Sequence, residues 1–149
     1  MRYLSDTNIL LRLAKPDDRD YPIVRAAVEM LWASGAELFY TSQNLAEFWN
    51  VCTRPPANNG FGLSVTETDR RAQLIESQFT LLADTEQVHH EWRRLVVTDA
   101  VLGVQVHDAR LVAAMRVHGV THLLTLNVQD FVRYAGITVV EPGRQKKAP

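Results

Sequence analysis

Five short runs of strand-forming residues, separated by segments of helical period, constrain this 149-residue chain most strongly. The runs are Tyr3-Leu4, Glu37–Thr41 (ELFYT), Phe79–Ala83 (FTLLA), His122–Leu126 (HLLTL) and Ile137–Val140. Between them, apolar residues recur at i, i+3, i+4 and i+7, the spacing of one helix face. Val24, Ala27, Val28 and Leu31 follow it in a helix opened by Tyr21-Pro22 and closed by Ser34-Gly35. Leu45, Phe48, Trp49 and Cys52 follow it between Ser42 and Arg54. Ser64 with Glu67 carries a capping-box signature for a helix to about Ser77. Val88, Trp92, Leu95 and Val96 mark a helix after Asp84 or Thr85, and HDARLVAAMRVHG, beginning at His107, marks the next. Strands alternating with helices imply a parallel sheet with right-handed crossovers and helices on both faces. The length suits one domain, read as residues 1–142, followed by a flexible tail at 143–149.

Composition adds exclusions. Net charge is −1 and charged residues make up 22%, so no global basic signature marks a nucleic-acid binder. Thirteen of the sixteen basic residues are Arg, the better phosphate fork, although genomic base composition produces the same bias. Cys52 is alone, so no internal disulfide forms, and its place in an apolar stripe reads as a buried small hydrophobe. No apolar run is long enough to span a membrane and no signal segment opens the chain, so the expected location is cytoplasmic. His89 and His90 are adjacent and point to different sides, which suits surface residues rather than a shared metal. Trp32, Trp49 and Phe61 are either apolar surface or core.

The chemistry lies in the acids. Asp6 follows the first strand and precedes a helix that starts at Thr7-Asn8. In an open α/β sheet that boundary is the ligand-binding rim. Asp108 sits in a first helical turn, on the stripe of Leu111, Val112 and Met115, so it points inward near the same rim. Asn127 and Asp130 follow the fourth strand. Glu47 lies off its helix's apolar stripe, beside Asn44 and Val51, and either leans toward the rim or is a solvated charge. Each acid alone reads equally well as a cap or a surface charge. Four together repel and take up protons unless a cation balances them. Mg²⁺ and Mn²⁺ prefer such oxygens. No dinucleotide or nucleotide glycine motif, no Gly-x-Ser-x-Gly elbow and no zinc-type Cys/His spacing competes. The turn-rich stretch Pro55–Leu63 is either a flap over a site or a plain connection.

The stretches DTNILL at Asp6, NLAEFWNV at Glu47, VHDARLVAAM at Asp108 and THLLTLNVQDF at Asn127 and Asp130 resemble PIN-domain proteins. These are of the kind found as VapC-type toxins in bacterial toxin–antitoxin pairs. TRPPANNGFGLS resembles a loop of one bacterial PIN group. The resemblance covers nearly the whole chain. It implies a three-layer α/β/α sandwich and a metal-dependent endoribonuclease that hydrolyses RNA phosphodiesters with a metal-activated water. Asp6 and Asp108 match the acids of the main metal, Glu47 the third acid and Asp130 the fourth. Thr7 and Asn8 match the supporting pair after the first acid, and Asn127 a polar position beside Asp130. The implied cofactor is Mg²⁺ or Mn²⁺, and the implied partners are single-stranded or structured RNA, a small antitoxin and a second copy of the chain. Arg12, Arg54, Arg110 and Arg133 are the candidates for contact with the RNA backbone. Two other readings stay open: a PIN nuclease of RNA processing with no toxin role, and a catalytically idle module that binds RNA or a partner.

Overall fold

The computed structural model describes residues 1–144. Strand β1 (Arg2–Ser5) lies in the middle of a five-stranded sheet, and β2 (Glu37–Thr41), β3 (Thr80–Leu82), β4 (His122–Leu124) and β5 (Thr138–Val140) complete it. The spatial order is β3-β2-β1-β4-β5 and every neighbouring pair is parallel. Six α-helices flank it among the described residues: α1 (Thr7–Leu13), α2 (Tyr21–Ala33), α3 (Ser42–Thr53), α4 (Val65–Gln78), α5 (Glu86–Thr98) and α6 (Gln105–His118). This is the α/β/α sandwich expected from the alternation of elements. No described helix is long and apolar enough to cross a membrane.

Successive strand residues point to opposite faces, so each strand feeds two cores. Tyr3, Leu38, Tyr40 and Leu124 pack with Ile9, Leu10, Val24, Val28, Phe48 and Ile75 from α1 to α4. Leu4, Phe39, Leu82 and Leu123 pack with Leu95, Leu111, Val112 and Met115 from α5 and α6. Cys52 is buried in the first cluster, as its apolar stripe implied. Trp49 and Phe61 lie partly buried against that cluster, and Trp32 stands edge-on to Phe79 with ring centroids 5.7 Å apart. His89 and His90 are exposed.

The connections run outward from β1 through β2 to β3, and the chain then returns to the other side of β1 for β4 and β5. The two central strands are therefore left in opposite directions. That reversal opens a crevice at their C-terminal ends, and Asp6 is the first residue beyond β1 there.

Several boundaries differ from the sequence reading for identifiable reasons. β4 ends at Leu124, not Leu126: Thr125 N still donates to Val140 O of β5, but side chains take the two amides after it. Leu126 N donates to Asn8 Oδ1 and Asn127 N to Thr125 Oγ1. β3 starts at Thr80 because Phe79 N still donates to Ile75 O of α4. α6 begins two residues early, at Gln105, where three-residue turns from Leu102, Gly103 and Val104 lead into it. Ser64 caps α4 by accepting from Glu67 N, but the Glu67 carboxylate turns to Arg70 and Arg71 and does not complete the box. The full capping box is on α3: Thr41 Oγ1 accepts from Asn44 N, and Asn44 Oδ1 accepts from Thr41 N. In the expected tail, Gly143 lies against Ile23 and Arg144 pairs with Glu141 at 3.1 Å, while 145–149 fall outside the described residues.

The Pro55–Leu63 stretch is pinned to the C-terminal end of α3, the end away from the Thr41 cap. Phe61 N, Gly62 N and Leu63 N donate to Val51 O, Arg54 O and Cys52 O, at 2.9, 2.9 and 2.8 Å. These bonds satisfy carbonyls that a helix end leaves unpaired. Lys15 Nζ lies 4.8 Å from the centre of the Phe61 ring and holds the loop to the end of α1. The segment is a helix cap, not a flap over the acids. Gly60 is required by contact: a Cβ there meets Arg54 O at 2.0 Å. Gly60→Ala is expected to destabilise the protein by about 2–3 kcal/mol through this overlap, read as a lower urea midpoint with an unchanged slope.

Candidate active site

Asp6 follows β1 in extended backbone and caps α1. Its Oδ1 accepts from Thr7 N at 2.8 Å, and its Oδ2 accepts from Thr125 Oγ1 at 2.7 Å and from Asn8 Nδ2 at 3.4 Å. The residue is only 6% exposed. Burial raises its pKa most; the bonds from Thr125 and Thr7 oppose that, and the charges of Glu47 and Asp130 add to it.

Glu47 sits one turn into α3 with both carboxylate oxygens held. Thr7 Oγ1 donates to Oε2 at 2.7 Å, and Gln43 Nε2 donates to Oε1 at 2.9 Å. Thr7 Oγ1 in turn accepts from Asn44 Nδ2 at 3.1 Å, and Asn44 is fully buried by the α3 capping box. The rim-leaning alternative for Glu47 is therefore the one realised: it faces Thr7, the neighbour of Asp6.

Asp108 is half-buried in the first turn of α6. Its side chain has no hydrogen bond or ion pair among the described residues. Burial and then the charges of Asp6, Asp130 and Glu47 push its pKa up to about 7. Asp130 is exposed at the end of a 3₁₀ turn (Val128–Asp130) after β4, within range of Asp6 and Asp108. Asn8 bridges the strand ends: Nδ2 donates toward Asp6 and Thr125 while Oδ1 accepts from Leu126 N. Asn127 is exposed and its amide donates to Thr125 Oγ1 at 3.0 Å.

The structure thus gathers Asp6, Glu47, Asp108 and Asp130 at one rim, with Thr7, Asn8 and Asn127 around them. The four arginines are engaged elsewhere. Arg12 pairs with Asp18 at 3.4 Å, Arg54 donates to Asn59 O, Arg110 pairs with Asp84, and Arg133 donates to Gln105 Oε1 and Asp99 O. Among the described residues no cationic side chain pairs with any of the four acids.

Three contributing residues were not apparent in the sequence. Thr125, fully buried, donates to Asp6 and accepts from Asn8 and the Asn127 amide. It was signalled only by a hydroxyl within the otherwise apolar run HLLTL. Gln43 and Asn44 carried no signal beyond their place in a first helical turn.

The chemistry of this donor set suits a hard divalent cation: it is all oxygen, rich in carboxylate and lacking an internal counter-charge. The carboxylates influence one another, and among the described residues no three His, Cys, Asp or Glu side chains lie close enough together to form a ligand shell. Cavities of about 380 and 520 Å³ lie elsewhere, against α2 and α4 and against β5, and none of the four acids lines either. The acids occupy an open rim, a shape accessible to a polymer.

The fold is shared with solved structures at low identity. VapBC2 from Rickettsia felis, bound to a DNA fragment from its promoter, is similar with a TM-score of 0.70 at 14% identity, over 95% of this chain and 98% of that one. VapBC-1 from nontypeable Haemophilus influenzae gives 0.67 at 21%, over 95% and 98%. VapC20 from Mycobacterium tuberculosis, a sarcin–ricin loop cleaving toxin, gives 0.56 at 18%, over 81% and 86%. No curated protein sequence matches. A family model of the PIN domain matches residues 3–137, and the chain belongs to that family.

Proposed function

We propose that this PIN domain is a cytoplasmic, Mg²⁺- or Mn²⁺-dependent endoribonuclease, the toxin of a toxin–antitoxin pair. The observation that carries the reading is the group of four carboxylates with no internal cation partner, Asp108 among them raised to about 7. Such strain between like charges is characteristic of sites that bind a cation or move protons. The likeness to VapBC2, VapBC-1 and VapC20 supports the toxin role and a small protein antitoxin as partner. RNA as substrate rests on the PIN resemblance and on VapC20, and a homodimer on the resemblance alone.

Asp6 and Asp108 would hold the ion. Asp6 is already oriented by Thr7 N and Thr125, so it has little rotamer freedom to lose on binding. Glu47 and Asp130 would complete the oxygen set and orient water and phosphate. Bound there, the ion supplies Lewis-acid stabilisation of the phosphodiester and a lowered water pKa. Thr7, Asn8 and Asn127 keep the acids in place. Without a cation the rim repels RNA, because four carboxylates face an anionic polymer. Arg110 and Arg133 are exposed, whereas Arg12 and Arg54 are half-buried, so the first two are the more accessible candidates for contact with the RNA backbone.

Cleavage of a labelled single-stranded RNA pool tests this directly. Cutting is expected with Mn²⁺ and Mg²⁺, none with EDTA, and a loss of more than about 100-fold in folded Asp6→Asn and Asp108→Asn variants. Equal cutting by the variants, or none with any metal, defeats the proposal.

Proton and cation compete at Asp108. At subsaturating metal, kcat/KM is expected to rise about tenfold per pH unit below 7 and level off above it, as the Asp108 proton leaves. Saturating Mn²⁺ shifts the midpoint to lower pH. A profile that falls from pH 6 to pH 8 contradicts this assignment.

Stability carries the opposite sign. The folded carboxyl of Asp108 binds its proton more tightly than the unfolded one, whose pKa is about 3.9. Its stabilising contribution is complete below about pH 4 and is lost as pH rises through about 7. Metal-free Asp108→Asn is therefore expected to be more stable than the parent at pH 8, by about 2 kcal/mol after solvent screening, or about 5 °C in Tm. The gap narrows as the pH falls and closes only below about pH 4. Mn²⁺ raises the Tm of the parent and not of the variant.

A further inference from the structure

The side chain of Gln43 does more than a first-turn glutamine on a helix surface needs to do. Its Nε2 makes two bonds at 2.9 Å, one to Glu47 Oε1 on the same helix and one to the backbone oxygen of His107 on α6. The first is an ordinary contact between residues one turn apart. The second crosses to another element, 64 positions away in sequence, and ends on the residue immediately before Asp108. The amide orientation is unambiguous, because both neighbours only accept and a flipped amide would set its oxygen against two oxygens.

The arrangement has a cost. Gln43 Oε1 is buried and has no hydrogen-bond partner among the described residues. An unpaired buried carbonyl destabilises a fold, and an apolar residue of similar shape would avoid it. The position therefore makes sense through its two donors.

Glu47 is the acid that most needs such a hold. Asp6 is fixed by the start of α1 and by Thr125. A glutamate has one more rotatable bond than an aspartate and more freedom to lose when ordered. Thr7 holds one of its oxygens and Gln43 the other. The turn of α6 that carries Asp108 is held from α5 as well, where Trp92 Nε1 donates to Val106 O at 2.8 Å.

We propose that Gln43 is a positioning residue that clamps Glu47 to the first turn of α6 and so fixes Glu47 relative to Asp108 for divalent-cation binding. The role rests on the cation reading given above, and it acts through Glu47 rather than by contact with the ion or the RNA.

Mn²⁺ binding by the full chain, measured by electron paramagnetic resonance of the free ion, tests it without relying on catalysis. Gln43→Met keeps the length of the side chain and removes both donors; Gln43→Leu is a second route to the same loss. Each is expected to weaken Mn²⁺ binding about tenfold, the usual scale for residues that orient metal ligands. In a Glu47→Gln background the same substitutions are expected to change binding less than twofold, because the group they act through is gone. In cleavage assays at subsaturating Mn²⁺, kcat should fall about tenfold with KM for RNA unchanged, and excess Mn²⁺ should restore most of it.

Unchanged binding in both single variants, or equal weakening with and without Glu47, would falsify the clamp while leaving the cation site intact. A parent protein that binds no Mn²⁺, or that Asp108→Asn leaves unaltered, would instead remove the cation reading and the clamp with it.

Discussion

The hydrogen bond from Thr125 Oγ1 to Asp6 Oδ2, 2.7 Å long, ties together the ends of the two strands that meet where the sheet's connections reverse. Much of the site depends on that closure. Thr125 shares its hydroxyl with the Asn127 amide, which ends β4 and starts the turn bearing Asp130. Asn8 spans the same gap from α1. On the other side, Thr7 links the first turn of α1 to Glu47 and Asn44 of α3. One buried carboxylate is thus the hub around which α1, α3 and the β4 exit are set.

Elsewhere among the described residues the chain pairs many of its acids. Glu67 is bonded by Arg70 and Arg71, and Glu91 by Arg94 and Arg116. Most of these pairs lie within one helix turn and add little to stability; Arg116–Glu91 is partly buried and joins α5 to α6. The contrast matters because it separates the rim from the general habit of the molecule. With thirteen arginines available, none pairs with the four rim acids among the described residues. Charges left unbalanced in a partly buried setting lower stability, and natural proteins tolerate that chiefly where function requires it.

Much of this was legible before any coordinates, because fold and acids obey local rules. Alternating strand and helix patterns fix a parallel sheet, and Asp6, Asp108 and Asp130 each stand at an element boundary that such a sheet brings to one edge. What stayed hidden depends on which elements meet. Thr125 reads as a β-branched strand residue, and only the pairing of β1 with β4 turns its hydroxyl toward Asp6. Gln43 reads as a helix surface residue until α6 is placed against it. The Thr41–Asn44 box lacks the Glu or Gln of the usual signature, whereas Ser64–Glu67 matched it and formed only half, since Arg70 and Arg71 drew the carboxylate away.

The order of the strands also governs when the rim can exist during synthesis. β1 emerges first, yet one of its two neighbours, β4, lies about 120 residues later, and 119 positions separate Thr125 from Asp6. A nascent chain that has released α1 to α4 carries Asp6 and Glu47 but neither Asp108 nor the threonine that orients Asp6. The crevice between β1 and β4 is then unformed, and one side of β1 is an open edge. Because the closing contacts are this remote in sequence, assembly waits on the last fifth of the domain. The four acids therefore have no common rim to share until β4 has been made and has paired with β1.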